Sequence, residues 1–134
     1  IGSLAFSGCT NLTTVTLSNS LTSIERAAFS SCSNLTDIII PDSVTNIGYM
    51  AFSSCSSLKS ITLPNSITDM GNYVFSQCTN LKTVVLPNSI KTIPFYAFSG
   101  CSSLTNITIP DSVNEIGCLA FFDCINLTLC IIKC

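Results

Sequence analysis

The sequence contains no histidine and no tryptophan, and only five of its 134 residues are lysine or arginine. Histidine is the usual general base near neutral pH and a common ligand of transition metals, so the chain lacks the most frequent side chain for either role. The few basic residues do not form the cluster that nucleic acid or an anionic membrane requires. The composition therefore argues against a nucleic-acid partner and predicts no metal or other cofactor.

Long hydrophobic runs are also missing, although 47% of the residues are hydrophobic. A membrane-spanning helix needs about 20 consecutive apolar residues, and no segment of the chain approaches that length. The sequence therefore predicts no insertion into a membrane and indicates that the apolar residues are spaced periodically.

The chain does contain one segment that recurs at a fixed interval of 23 residues. Phenylalanine, cysteine and leucine each keep this interval: Phe6, Phe29, Phe52, Phe75, Phe98 and Phe121; Cys9, Cys32, Cys55, Cys78, Cys101 and Cys124; Leu12, Leu35, Leu58, Leu81, Leu104 and Leu127. A period of this size indicates a repeat solenoid. We interpret residues 1–134 as one solenoid of about six repeats. Because it starts inside a repeat without a capping unit, we expect a fragment of a longer array or a mature piece.

Each repeat contains one segment with the pattern of a β-strand, such as residues 58–63, where apolar and polar or β-branched residues alternate. Proline follows this segment in four repeats and ends the strand: Pro41, Pro64, Pro87 and Pro110. Strands at equivalent positions of successive coils would form a parallel sheet of about six strands.

After the strand, each repeat turns a corner and returns. Serine occupies the corner in five repeats, and we predict that its hydroxyl bonds the backbone there: Ser20, Ser43, Ser66, Ser89 and Ser112. An inward apolar pair such as Val44 and Ile47 then predicts a short second strand or an extended turn. The segment that starts at Ala51-Phe52, and its equivalents, predict a helical turn that leads back to the cysteine.

The pattern resembles the leucine-rich-repeat family, specifically its BspA-like class of 23-residue repeats. The residues that carry the resemblance are Leu-x-x-Val/Ile-x-Leu/Ile, Pro-Asp/Asn-Ser-Val/Ile, Ile-Gly and Ala-Phe-x-x-Cys-x-x-Leu, and they cover essentially the whole chain. The resemblance implies a leucine-rich-repeat solenoid with the strand sheet on its concave face and short strands, turns and helical turns on the other side. The serine corner, where asparagine is commonest in leucine-rich repeats, agrees with the BspA-like class.

Relatives of this class are typically microbial, often exposed on the cell surface, and associated with adhesion to host proteins or to other cells. The resemblance therefore implies a non-catalytic module, at the cell surface or outside the cell, that binds a protein partner. A second class stays open, namely an intracellular structural scaffold within a larger assembly, because free cysteines and the lack of a signal segment are compatible with it.

The candidate partner-binding surface is the outward face of the strand sheet, since solenoids usually bind through their concave face. Its outward positions are Thr14, Thr16, Asp37, Ile39, Ser60, Thr62, Thr83, Val85, Asn106 and Thr108, followed by Leu129 and Ile131 in the last repeat. These residues indicate either ordinary β-propensity on an exposed sheet or a mildly apolar docking strip of low charge.

The acidic and hydroxyl residues do not assemble a catalytic site. Asp42 and Asp111 share a repeat position but lie three coils apart, which is roughly 14 Å at one strand spacing per coil. The repeated serines lack a base, and no cysteine has a neighbouring cation that would clearly lower its pKa. The sequence therefore predicts that the chain is not an enzyme.

Three further features leave alternatives open. The six cysteines that follow the repeat are expected to be buried free thiols, whereas the pairing of Cys118, Cys130 and Cys134 is undecided. Glycosylation sequons begin at Asn11, Asn34, Asn106 and Asn126, and the sequence does not settle whether any is used. The apolar strand from Leu127 to Ile132 predicts either continuation into further repeats or self-association through its edge.

Overall fold

The structure, a computed structural model, describes residues 1–132. Within these residues the chain forms eleven short strands and no helix. The strands are β1 (Thr14–Val15), β2 (Ser23–Ile24), β3 (Asp37–Ile38), β4 (Asn46–Ile47), β5 (Ser60–Thr62), β6 (Asp69–Met70), β7 (Thr83–Val85), β8 (Thr92–Ile93), β9 (Asn106–Ile109), β10 (Glu115–Ile116) and β11 (Leu129–Ile132).

The odd-numbered strands, one from each repeat, form the strand face of a solenoid. They pair in parallel as β1 with β3, β5 with β7, and β9 with β11, and each residue lies opposite the one 23 positions away. Neighbouring pairs remain adjacent, since β3 contacts β5 and β7 contacts β9, and the Lys59 amide in front of β5 donates to the Thr36 carbonyl at 3.4 Å. The parallel six-stranded arrangement predicted from the sequence is therefore confirmed, with its closest bonding inside the pairs.

The even-numbered strands form a second parallel ladder, ordered β2-β4-β6 and β8-β10. Each is a two-residue strand, and its second residue points inward in the first four coils, as with the buried Ile47 and Ile93. The prediction of a short second strand is confirmed. This ladder and the strand face are the two sheet surfaces that the solenoid presents.

The core is a set of parallel columns in which equivalent residues of successive coils touch. The repeat phenylalanines stack almost parallel, with ring centroids 5.2 Å apart at one end and 5.6 Å apart between Phe75 and Phe98. The four inner rings, such as that of Phe52, are fully buried. Burial of each phenylalanine contributes about 1.5–3 kcal/mol, so the column is a large part of what holds the coils together.

The return segments correct one expectation, because they are not helical turns. Two residues in each coil have positive φ, and they keep the repeat interval: Leu4, Ala27, Met50, Tyr73, Tyr96 and Leu119, and then Gly8, Ser31, Ser54, Gln77, Gly100 and Asp123. A left-handed residue every fourth position cannot belong to a right-handed helix. Each return is instead a series of tight turns, such as the one closed by the Ser53 amide on the Met50 carbonyl at 3.1 Å.

The competition for backbone donors explains why turns replace a helix. The amides of Met50, Phe52 and Ser54 donate to carbonyls of the next coil, the last to Ser76 at 2.7 Å. In a helix these donors would be used within their own segment, and the coils would lose a row of hydrogen bonds. The returns thus form a third ladder between coils.

The corner serines fulfil their predicted role in the middle of the solenoid only. Ser43 and Ser66 donate to carbonyls of the preceding coil at 2.6 and 2.7 Å, and Ser89 donates to the Ile67 carbonyl. The expectation is wrong for Ser20, whose hydroxyl bonds that of Ser18, and for Ser112, whose buried Oγ has no partner among the described residues.

The repeat cysteines are free thiols in a buried column, as predicted for the inner coils. Cys32, Cys55, Cys78, Cys101 and Cys124 each donate an S–H bond to a phenylalanine carbonyl of the preceding coil at 3.1 to 3.2 Å. The expectation of burial is wrong for Cys9, at the start of the column, which is exposed, and Cys124, in the last coil, is only half-buried. Cys118 and Cys130 are free and exposed, whereas Cys134 lies outside the described residues.

Candidate partner-binding surface

Alternation along the odd strands places all predicted site residues on the outside of the solenoid. Inward side chains such as Ile61 and Ile107 are buried, and their neighbours on the strand point to solvent because successive side chains alternate. The exposed set contains Thr14, Thr16, Asp37, Ile39, Ser60, Thr62, Thr83, Val85, Asn106 and Thr108. The structure therefore confirms their common surface, while their role in binding stays a prediction.

Two shallow grooves divide these residues into groups. The first, of about 540 Å³, is lined by Asp37, Ile39, Ser60 and Thr62. The second has a volume of about 450 Å³, and its lining includes Thr83, Val85, Asn106 and Thr108. Thr16 and Ile39 also border a smaller groove of about 190 Å³. The grooves are recesses in the strand face, each large enough to accept a side chain of a partner.

The strand face carries exposed apolar side chains at its centre. Ile39 is 83% exposed and Val85 is 54% exposed, and the two lie two coils apart at the same repeat position. Thr62, which is also exposed, lies between them at this repeat position, so the column alternates apolar residues with threonine and is mildly apolar. In the last coil Leu129 and Ile131, in β11, extend the same surface and are also exposed.

Carboxylates and thiols are the side chains of residues 1–132 most relevant to metal binding or nucleophilic chemistry. No group of three or more Asp, Glu and Cys side chains in residues 1–132 could hold a metal ion. Burial raises the pKa of the inner thiol Cys55 to about 12. A thiol with such a pKa is not a thiolate at neutral pH, so it does not act as a nucleophile there. No helix in residues 1–132 has the length and apolar character needed to cross a membrane.

All four sequon asparagines occupy exposed positions, so access does not rule any of them out as a glycan acceptor. Two of them make side-chain hydrogen bonds, and the Nδ2 of Asn106 donates to the Thr105 hydroxyl at 3.3 Å. The Nδ2 of Asn126 donates to the Ser102 carbonyl at 2.7 Å, which ties this side chain to the preceding coil. Their use as glycosylation sites stays a prediction.

Sequence reasoning missed a second surface, formed by aromatic residues where the even strands enter the return turns. We call it the aromatic edge and define it by Tyr49, Tyr73, Phe95, Tyr96 and Phe122. Phe95 also lines a groove of about 600 Å³, the largest of the grooves described. A signal existed, because these residues fall at only three repeat positions, but none of them belongs to the repeat consensus.

Comparison with known proteins matches the whole described chain to one family. The sequence profile of the BspA type leucine rich repeat region matches residues 1–132 in six copies. A leucine-rich repeat protein of solved structure from Bacteroides ovatus is similar with a TM-score of 0.93 and 35% identity, and the match covers 96% of this chain and 33% of that protein. No curated protein matches the chain.

Two further solved structures agree with this assignment. A leucine-rich repeat protein of T. pallidum matches with a TM-score of 0.89 and 37% identity over 92% of this chain and 58% of that protein. A leucine-rich repeat protein from Eubacterium ventriosum matches with a TM-score of 0.85 and 29% identity, over 91% of this chain and 34% of that protein. The chain thus spans between 33% and 58% of the length of these proteins. It belongs to the BspA type leucine-rich-repeat family, whose repeats generally mediate protein interactions.

Proposed function

We propose that this chain is a non-catalytic recognition module that binds a protein partner through its strand face. The observation that carries the proposal is the alignment of exposed residues from successive odd strands, with Ile39 and Val85 at its apolar centre. The core of a protein interface is depleted in charge, and this strip has little charge apart from Asp37. Leucine-rich repeats are typically scaffolds without catalytic activity, which agrees with this reading.

The binding part of the proposal can be tested on the purified chain. We would measure its binding to a panel of matrix and cell-surface proteins by biolayer interferometry, comparing the unmodified chain with the double variant Ile39→Lys, Val85→Lys. A matched control, Thr22→Lys, Thr45→Lys, adds the same charge at exposed positions beside the second ladder. The strand-face variant should weaken binding at least about tenfold, which corresponds to 1.4 kcal/mol, while the control changes it little.

Two results of this experiment would contradict the proposal. One is equal loss of binding in both double variants, which indicates a nonspecific effect of charge. The other is a chain that binds no protein of the panel, or binds with an affinity that the strand-face variant leaves unchanged. Circular dichroism and thermal melts of each variant show that the fold is retained.

We further propose that the module acts at the cell surface in adhesion. Membership of a family whose proteins are often bacterial surface proteins supports this location. The alternative, an intracellular structural scaffold, is favoured by one observation, namely that the eight cysteines of the described residues are free thiols. Thiols are kept reduced in the cytosol, whereas disulfides persist in oxidising compartments.

Protease treatment of intact cells separates the two locations. If the repeat region is on the surface, it is digested in intact cells while a cytosolic marker survives. If it is an internal scaffold, it is digested only after lysis. The second result would overturn the adhesion proposal and leave the binding role of the strand face to be tested against intracellular partners.

A further inference from the structure

The aromatic edge is a continuous cluster rather than a set of isolated rings. The distances between neighbouring ring centroids range from 4.2 Å, for Phe95 and Tyr96, to 6.5 Å, for Tyr96 and Phe122. The side chains remain accessible, with Tyr49 39% and Phe95 37% exposed. Exposed aromatic clusters beside a groove are typical of binding surfaces. The edge belongs to the second ladder and the return turns, and is distinct from the strand face.

The chain already places one cation on this edge. The guanidinium of Arg26 lies over the Tyr49 ring, 5.6 Å from its centroid, which is within the range of a cation–π interaction. Arg26 and Tyr49 hold the same repeat position in adjacent coils, so the stacking of coils brings the guanidinium onto the ring. This pair shows that a ring of the aromatic edge can hold a guanidinium group.

Phe95 repeats the position of Tyr49 two coils further on, but without a cation of its own. The residue that corresponds to Arg26 is Asn72, a short side chain whose Oδ1 accepts a hydrogen bond from the Phe95 amide at 3.2 Å. In the coil that follows Phe95, the residue at the same repeat position is Cys118, whose side chain is also short. Among residues 1–132 no cation lies over the Phe95 ring. The groove of about 600 Å³ opens beside this ring and is lined by all three residues.

Carboxylates border the same groove. Asp69 and Glu115 are exposed, line the groove, and hold one repeat position two coils apart, which places their backbones about 10 Å from each other. Lys91 is the one basic side chain in the lining. A planar guanidinium fits such a site, because it stacks on a ring and pairs with carboxylates at the same time.

We propose that this groove binds an arginine side chain carried by a basic segment of a partner protein. The guanidinium would lie against Phe95, as Arg26 lies over Tyr49, and would pair with Asp69 or Glu115. A neutral sugar is a poorer occupant, because it carries no charge to pair with Asp69 or Glu115 in the groove lining. The groove thus supplies a second contact surface besides the strand face.

The test uses the whole chain and a defined probe. We would titrate a fluorescein-labelled glycine-serine peptide containing several arginines and measure anisotropy at physiological ionic strength. The matched probe carries citrulline at the same positions, which keeps the planar group and removes its charge. A neutral chito-oligosaccharide is titrated in parallel by NMR. We expect binding of the arginine peptide, with little or no binding of the other two.

Variants then locate the site. Phe95→Leu removes the ring but retains an apolar side chain, and should weaken the arginine peptide about 3- to 30-fold. Asp69→Asn combined with Glu115→Gln should weaken it by a similar factor and reduce its salt dependence, whereas Lys91→Gln should strengthen it. The strand-face pair Ile39→Ala, Val85→Ala serves as the control and should leave the affinity unchanged.

Several outcomes would overturn the proposal. These are equal affinity for the arginine and citrulline peptides, no binding of the arginine peptide, or binding that neither Phe95→Leu nor the carboxylate variant weakens. Sugar binding that Phe95→Leu abolishes would assign the groove to a different ligand. Because Asp69 and Glu115 are exposed, their variants should retain the fold even if Phe95→Leu does not.

Discussion

The S–H group of Cys78 donates a hydrogen bond to the carbonyl oxygen of Phe52 in the preceding coil, at 3.2 Å. Both residues are fully buried, and the thiol adds a second hydrogen bond to a carbonyl that already accepts one from the Cys55 amide at 3.2 Å. The same bond recurs at each inner coil, which explains why a cysteine column suits this solenoid better than an alanine column. The thiols act as structural donors, and two predictions follow from their protonation.

Labelling should separate the inner thiols from the outer ones. With iodoacetamide at pH 8, the exposed Cys9, Cys118 and Cys130 should react within minutes, because the reagent reaches their thiols directly. Cys55 and Cys78 should be protected until the chain unfolds, since burial removes access and raises their pKa. Peptide mapping by mass spectrometry identifies the labelled sites, and denaturation in urea provides the fully labelled control. Rapid native labelling of Cys78 would contradict the buried column.

Stability should fall at alkaline pH through the same thiols. Burial raises the pKa of Cys55 from 9.0 to about 12, so between these values the unfolded thiol is ionised while the folded one stays protonated. The folded state then binds more protons, and the free energy of unfolding decreases as pH rises, by up to about 1.4 kcal/mol per pH unit for each such thiol. Below pH 9 the contribution of the thiol is constant.

The variant Cys55→Ala isolates this effect. Urea unfolding with a phosphine reductant at pH 8, 9.5 and 10.5 should show that the variant is less stable at pH 8 but loses stability less steeply above pH 9. Cys9→Ala, at an exposed cysteine, is the matched control and should retain the original slope. If the free energy of unfolding fell equally steeply with pH in Cys55→Ala and in the unmodified chain, Cys55 would not be the source of the pH dependence.

Close approach of the coils makes one glycine hard to replace. A Cβ at Gly71 would clash with the Tyr49 backbone nitrogen and lie 2.5 Å from the Gly48 carbonyl carbon in the preceding coil. Because backbone cannot move aside as a flexible side chain can, Gly71→Ala should destabilise the chain by about 1–3 kcal/mol. Gly2→Ala, where a Cβ meets nothing within 4 Å, should change stability little. Equal melting temperatures for both variants would contradict the clash.

Backbone strain at a left-handed position predicts a stabilising substitution. Ser54 has φ of 61°, and the same repeat position is glycine at Gly8 and Gly100. Ser54→Gly removes a left-handed penalty of about 1–2 kcal/mol but adds flexibility to the unfolded chain, so the net gain should be about 0.5–1 kcal/mol. The adjacent Ser53, which lacks positive φ, is the control, and Ser53→Gly should destabilise. Chemical unfolding gives the stability of both variants. If Ser53→Gly were the more stable variant, strain at Ser54 would be excluded.

These left-handed positions explain which part of the fold the sequence could not predict. The period and the alternation along each odd strand predicted the solenoid and its exposed face, because both depend on burial alone. The returns were mistaken for helical turns because residues such as Tyr73 and Tyr96 have positive φ without being glycine, and nothing in their identity signals it. The aromatic edge was missed for a related reason, since it depends on contacts between different repeat positions, which only the spacing of the coils determines.

Two corner serines allow the contribution of a buried hydroxyl to stability to be compared with and without a hydrogen-bond partner. Ser66 donates to the Val44 carbonyl at 2.7 Å, whereas the buried Oγ of Ser112, at the same repeat position two coils later, has no partner among the described residues. Ser66→Ala leaves a carbonyl unsatisfied and should cost about 1–2 kcal/mol, because a lost partner exposes the full desolvation penalty of the other group.

Ser112→Ala should have the opposite sign. It removes a hydroxyl that was desolvated without compensation, so the variant should be as stable as the unmodified chain or more stable by about 0.5–1 kcal/mol. Urea unfolding monitored by circular dichroism gives both values, and each alanine variant is the control for the other, since the residue change and the local fold are the same. Equal destabilisation by both substitutions would mean that Ser112 is hydrogen-bonded in solution, and its hydroxyl would then complete the ladder that begins at Ser43.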